Sequence, residues 1–194
     1  MPWSRLKPAD ARAMPWRNGG GTTLEFLMEP PGASLESGFG WRVSSATVGV
    51  SGPFSAFPGL DRWLLLLEGA GFDLDFGPRG RVDLSRPLAP IRFSGDWPVE
   101  ATLLDGPSTD LNLMVDPRQW RSQVDVLTLV SPRALPLRAD TTLLFLARGT
   151  ASVPAWDLHL GHHHLLRVAG GKGDLALAPG LAGAILVRME LDRA

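Results

Sequence analysis

Residues Pro15–Phe26 read PWRNGGGTTLEF, and the fold turns on the segment just after the three glycines, Gly19 to Gly21. A phosphate-binding P-loop needs G-x-x-x-x-G-K-[ST], and a dinucleotide fold needs G-x-G-x-x-G between a strand and a helix. This stretch has no such lysine and no amphipathic helix after it. TTLEFLM, residues 22–28, instead carries β-branched and aromatic positions and predicts a strand. The glycines then read as a tight turn that delivers a polar strand face. Alternate side chains of a strand share a face, so Thr23 and Glu25 point one way and Thr22, Leu24 and Phe26 the other.

Outward from this strand the same grammar recurs along the chain. Short apolar runs such as WRVSSATVGV, RWLLLLEG, GFDLDF, VEATLL, LNLMV, QVDVLTLV, TTLLFLARG and AILVRM are separated by turns drawn from 22 glycines and 17 prolines. Many short strands at close spacing predict an all-β antiparallel barrel or sandwich. Helix is confined to single turns, one at KPADAR with Pro8 near its start and one at DPRQWRSQ, Asp116 to Gln123. LLLLEGAG (Leu64–Gly71) and LLFLARGTA (Leu143–Ala151) echo each other, with Gly69 and Gly149 at matching hairpin positions. That echo predicts two half-barrels, about 1–117 and a shorter 118–194, packed as one compact unit over 1–194.

Composition bounds the function. With 194 residues, 44% hydrophobic and 20% charged, the chain can build a sizeable core. A formal net charge of −1 gives no electrostatic footprint for nucleic acid or an anionic membrane. No apolar run approaches the ~18 residues of a membrane span, and the N-terminus has no apolar signal-peptide core. Cysteine is absent, so disulfides and thiolate metal sites are out of reach. These features fit a cytoplasmic address, and a homodimer is compatible with them.

Strand parity sorts the polar residues. In FGWRVSSATVGV, Arg42, Ser44 and Ala46 share a face, opposite Val43, Ser45 and Thr47. An arginine beside small residues leaves room for a carboxylate held in bidentate fashion, and a surface ion pair is the plainer alternative. Arg62 enters an apolar strand with Leu64 and Leu66 on its face, while Phe54, Phe57 and Trp63 read as core or rim packing. Asp110 and Asn112 share a face of a further short strand, where turn or cap roles are the alternative.

HLGHHHLLRV carries His159, His162, His163 and His164. Histidine is a common transition-metal ligand, and on a strand His162 and His164 would share a face. No Asp or Glu comes after them at close spacing and Gly161 suggests a loop tip, so a solvated hairpin is the expectation and no metal is assigned. A G-x-S-x-G nucleophile elbow is also absent.

Taken in order, MPWRNGGGTTLEF, FGWRVSSATVGVSGPFSAFPGLDRWLLLLEGAGFDL, PLAPIRFSGDWPVEATLLDG and TDLNLM resemble the HutD/Ves family of small bacterial bicupins. The likeness runs over roughly Met14 to Val115. It implies cupin-type antiparallel β-barrels, two in one chain, and an association with histidine utilisation through binding of a small carboxylate. The ligand would be urocanate, formylglutamate or a similar acid. Carried onto this sequence, it makes Trp16, Asn18, Thr23, Glu25, Arg42, Ser44, Arg62, Asp110 and Asn112 the pocket candidates. Arg42 or Arg62 would meet the carboxylate, and Asn18, Ser44 and Asn112 would orient the rest. Glu25 would balance the arginine charge or accept from an N–H.

The expectation is a non-catalytic cytoplasmic carboxylate-binding protein that modulates histidine degradation, with no catalytic residue and no cofactor assigned. Two other readings stand beside it. One is a metal-independent isomerase or hydrolase using Glu25 as acid and base. The other is a protein–protein module built on the aromatic loop Pro53 to Trp63.

Overall fold

A computed structural model describes residues 2–194. Among these, seventeen strands account for nearly all regular structure, and the helices are three single 3-10 turns. In chain order the strands are β1 (Trp3–Leu6), β2 (Arg12–Pro15), β3 (Gly21–Glu29), β4 (Trp41–Val48), β5 (Gly52–Phe54) and β6 (Asp61–Glu68). They continue with β7 (Phe72–Asp75), β8 (Arg81–Leu84), β9 (Ile91–Ser94), β10 (Val99–Leu103), β11 (Ser108–Val115) and β12 (Trp120–Leu129). The last are β13 (Arg133–Leu137), β14 (Thr141–Val153), β15 (Leu158–Leu160), β16 (Leu165–Ala169) and β17 (Gly173–Arg193).

Two compact units divide the chain, one spanning Ala11–Trp120 and the other formed by 121–194 with 2–10. The sequence predicts halves of about 1–117 and 118–194, with the N-terminus in the first. Strand β1 instead pairs antiparallel with β16, Trp3 opposite Val168, a long-range partnership that no local pattern announces.

In the first unit a six-stranded antiparallel sheet runs β2-β3-β4-β11-β6-β9, and a four-stranded sheet runs β5-β10-β7-β8. Their inner faces share one core, in which Leu64 and Leu66 of the larger sheet meet Phe72, Leu74 and Ala101 of the smaller. Burying each large side chain here stabilises the fold by about 2 kcal/mol. The expected all-β antiparallel class is what the chain adopts. Closed barrels are not: both sheets end on unpaired edge strands, so the layers are joined by side-chain packing rather than by a continuous ladder.

The second unit is a seven-stranded sheet ordered β1-β16-β14-β17-β12, with β13 added on β17 and β15 on β14. Its leucine-rich core includes Leu129, Leu144, Leu166 and Leu186. Gly149 lies here, and it does not play the role of Gly69. Gly69 sits in the turn after β6, whereas Gly149 (φ 77°) lies inside β14 where the register with β17 slips. The expected helical turn at Pro8–Asp10 forms. The one at DPRQWRSQ does not extend: the Asp116 carbonyl accepts backbone N–H bonds from Gln119 and Trp120, and strand β12 begins at once. The Trp120 ring packs edge-on against Trp41, which favours strand over helix there.

Candidate functional site

Three adjacent strands write the floor of the site as a ladder. Arg42 on β4 lies opposite Met114 on β11, which lies opposite Arg62 on β6. One step along, Ser44 faces Asn112, and one further step Ala46 faces Asp110. Because strand side chains alternate, all of these project toward the interior between the two sheets. They wall one end of it as a cavity of about 440 Å³, the size range of small-molecule sites.

The glycine turn supplies the rim. Trp16 N–H bonds Gly21 C=O, and Asn18 Oδ1 accepts the Gly20 N–H at 3.0 Å, closing an Asx-type turn. Gly19 takes the left-handed conformation (φ 69°) that this turn needs. At Gly21 a Cβ would lie 2.6 Å from the Thr47 carbonyl oxygen and 3.2 Å from the Trp16 ring, so only glycine lets the indole lie close. The Trp16 Nε1–H then donates to Thr23 Oγ1 at 2.9 Å, fixing the ring as a wall.

Eight of the nine candidates, Trp16, Asn18, Thr23, Arg42, Ser44, Arg62, Asp110 and Asn112, line this one cavity. Glu25 does not line it. Its Oε2 accepts from Arg42 Nε at 2.6 Å, with the two side chains 13% and 4% exposed. The plainer alternative for Arg42, an ion pair, is therefore the observed one, although it is buried and not on the surface. Arg42 Nη1 also reaches Ser44 Oγ at 3.3 Å, so two of its five N–H donors are committed and its charge is matched by Glu25.

Arg62 is placed differently. It is buried, its Nη1 donates to Ser55 C=O at 3.3 Å, and its Nε has no hydrogen-bond partner. Aromatic faces surround its guanidinium, with Phe93 at 5.1 Å, Phe57 at 5.3 Å and Phe54 at 6.0 Å. Burial lowers its pKa to about 10, against the opposing attraction of Asp110. Asp110 responds in the opposite sense. Burial raises its carboxyl to about 7, with Arg62 and a hydrogen bond from the Ala46 backbone pulling the other way. Asp110 Oδ1 and Asn112 Oδ1 are likewise buried without partners.

Phe54 and Phe57, read from sequence as packing, are wall residues of the cavity together with Pro53 and Ser55. The signal was present in the Gly-Pro and Pro-Gly punctuation that frames this loop, but nothing local says that the loop folds back over Arg62. Trp63 faces elsewhere, with Arg92 over its ring at 5.6 Å. The wall includes one carboxylate, Asp110, and two side-chain amides, Asn18 and Asn112, and among the described residues no imidazole lines it.

The histidine run forms a turn, not a strand. His163 adopts a left-handed φ of 57°, the His162 and His163 rings stack at 3.7 Å, and His164 Nδ1 accepts the Gly161 N–H at 3.0 Å. His162 and His164 therefore do not share a strand face. Partial burial and the nearby Arg5 and Lys7 charges lower the His164 pKa.

Antiparallel sheets of this order, with a cavity between them, define a cupin-like all-β protein. The likeness extends to the pirin YhhW of Escherichia coli, with a TM-score of 0.69 at 8% identity over 99% of this chain and 100% of that one, a similarity of fold alone. The chain belongs to the HutD family, whose model matches residues 8–186. It is 37% identical over 180 residues to a 21.2 kDa protein from the hutC 3′ region of Pseudomonas putida, covering 89% of this chain and 90% of that protein. HutD from Pseudomonas fluorescens SBW25, in a structure from a formate condition, superposes with a TM-score of 0.85 at 34% identity, with 100% of both chains covered. The Ves protein of Citrobacter koseri is 39% identical over 121 residues, 60% of this chain and 61% of that one.

Proposed function

We propose that this chain is a non-catalytic binding protein for a small carboxylate and that it modulates histidine degradation in the cytoplasm. One observation carries the reading: Arg62, a buried guanidinium whose Nε has no partner, is among the residues lining a small-molecule-sized cavity. A buried donor left without a partner costs free energy, and an anion entering the cavity recovers it. A carboxylate is the anion whose geometry matches a guanidinium edge. The aromatic faces of Phe54 and Phe57 and the Trp16 indole would hold its organic remainder.

Membership of the HutD family and the hut-region relative support histidine degradation as the setting, with urocanate, formylglutamate or a related acid as ligand. Each unit would then be one half of a bicupin. The proposal includes no nucleic-acid or membrane partner. Were the site catalytic, Asp110 would be the group to hold or release a proton, since Glu25 is taken up by Arg42.

A thermal-shift screen with urocanate, formiminoglutamate, formylglutamate and formate tests the reading. A ligand that binds only the folded state raises the melting temperature. At least one acid should do so in the wild type and lose its effect in Arg62→Ala. No shift with any of them removes the proposal.

A further inference from the structure

Two arginines and two carboxylates meet at this site. Arg42 and Glu25 neutralise each other through a 2.6 Å ion pair. Behind the aromatic faces, Arg62 on β6 and Asp110 on β11 attract each other at longer range, and each is nearly solvent-free. The elements packed against Asp110 add little to this. From β4 the charged group facing it is Arg42, already matched by Glu25 of β3; from β6 it is Arg62; and Arg17 of the glycine turn lies at the mouth, exposed to water. An incoming carboxylate beside Arg62 would therefore leave two anions on one guanidinium in a desolvated space. Two carboxylates sharing such a site do not both stay ionised.

We propose that Asp110 takes up one proton from solvent whenever a carboxylate binds beside Arg62, so that the site holds small carboxylic acids more tightly as the pH falls through neutrality. The inference rests on reading the cavity as a carboxylate site. Geometry gives the proton a use. Asp110 lines the same cavity and its buried Oδ1 lacks a partner, as does Asn112 Oδ1, so a neutral carboxyl there has an acceptor to offer its O–H in the ligand or in Asn112. The raised pKa of Asp110, pushed up by burial to about 7, means that the proton is gained near physiological pH. At lower pH it is already in place.

Isothermal titration with N-formylglutamate and with formate tests this, since neither acid titrates between about pH 6 and 8.5. Run at pH 6 and pH 8 in two buffers of different ionisation heat, the wild type should take up about one proton per ligand at pH 8 and close to none at pH 6. The dissociation constant should rise by up to about tenfold per pH unit above neutrality. Asp110→Asn, which mimics the neutral carboxyl, should show no proton uptake and a flat pH profile. Binding of wild type without proton uptake at pH 8, or tightening with rising pH, overturns the inference and leaves the carboxylate site standing. If neither acid binds at either pH the inference falls, and the carboxylate reading falls with it when urocanate and formiminoglutamate also fail to bind. The wild-type heats decide the matter even if the variant does not fold.

Discussion

Arg42 donates its Nε–H to Glu25 Oε2 across adjacent strands, at 2.6 Å and almost out of water. That single bond reassigns two residues that carry the most obvious charge in the sequence. It neutralises Arg42 within the cavity wall and takes Glu25 out of contention as a free acid or base, which leaves Arg62 as the stronger candidate for the anion anchor.

Glu25→Ala should therefore act on stability before it acts on binding. Removing one partner of a buried pair leaves the other charge uncompensated, at a cost of about 3–5 kcal/mol. Urea denaturation should show this loss, and the double variant Glu25→Ala/Arg42→Met should recover much of it. Equal stability of the single variant and wild type would mean that the pair is solvated in solution.

Gly21→Ala should damage the rim. Its Cβ would press on the Thr47 carbonyl, which belongs to the β4 ladder and cannot yield, and on the Trp16 ring. Overpacking of this kind costs about 1–3 kcal/mol, and the displaced indole would lose its bond to Thr23. A lower melting temperature together with red-shifted tryptophan emission is the expected signature. Unaltered melting would contradict the close approach.

Asp110 should write itself into the pH dependence of stability. Its folded value, near 7, lies above the ~3.9 of an unfolded aspartate. A group raised in this way contributes stability that is complete below the unfolded value and is lost as pH rises through the folded one. Relative to Asp110→Asn, the wild type should thus lose on the order of 2–4 kcal/mol between about pH 4 and pH 7, with no further change above that. Thermal melts of both proteins at about pH 4.5, 6 and 8 check it. A wild type that gains on the variant as pH rises would reverse the sign.

Where a feature depends on alternation within one strand, the sequence made it readable. Arg42 with Ser44, and Asp110 with Asn112, are two-residue spacings, and they do face one cavity. Features that depend on register between strands were hidden. Glu25 reaches Arg42 because β3 pairs with β4 in a register that slips between Glu25 and Leu27, which no single-strand pattern encodes. The partnership of β1 with β16 across the length of the chain is hidden for the same reason. Phe54 and Phe57 looked like packing because their loop carries turn residues at both ends but no sign of where it lands. The perturbed state of Asp110 is a product of burial, and burial of an aspartate runs against its usual preference for the surface.

Binding at this cavity stands or falls with Arg62 as the carboxylate anchor. A crystal structure of the complex with whichever of the four acids raises the melting temperature most would show it. A ligand carboxylate oxygen should lie about 2.7–3.2 Å from a nitrogen of the Arg62 guanidinium, inside the wall formed by Trp16, Phe54 and Phe57. A ligand bound elsewhere on the chain, out of hydrogen-bond reach of the Arg62 guanidinium, would contradict that role.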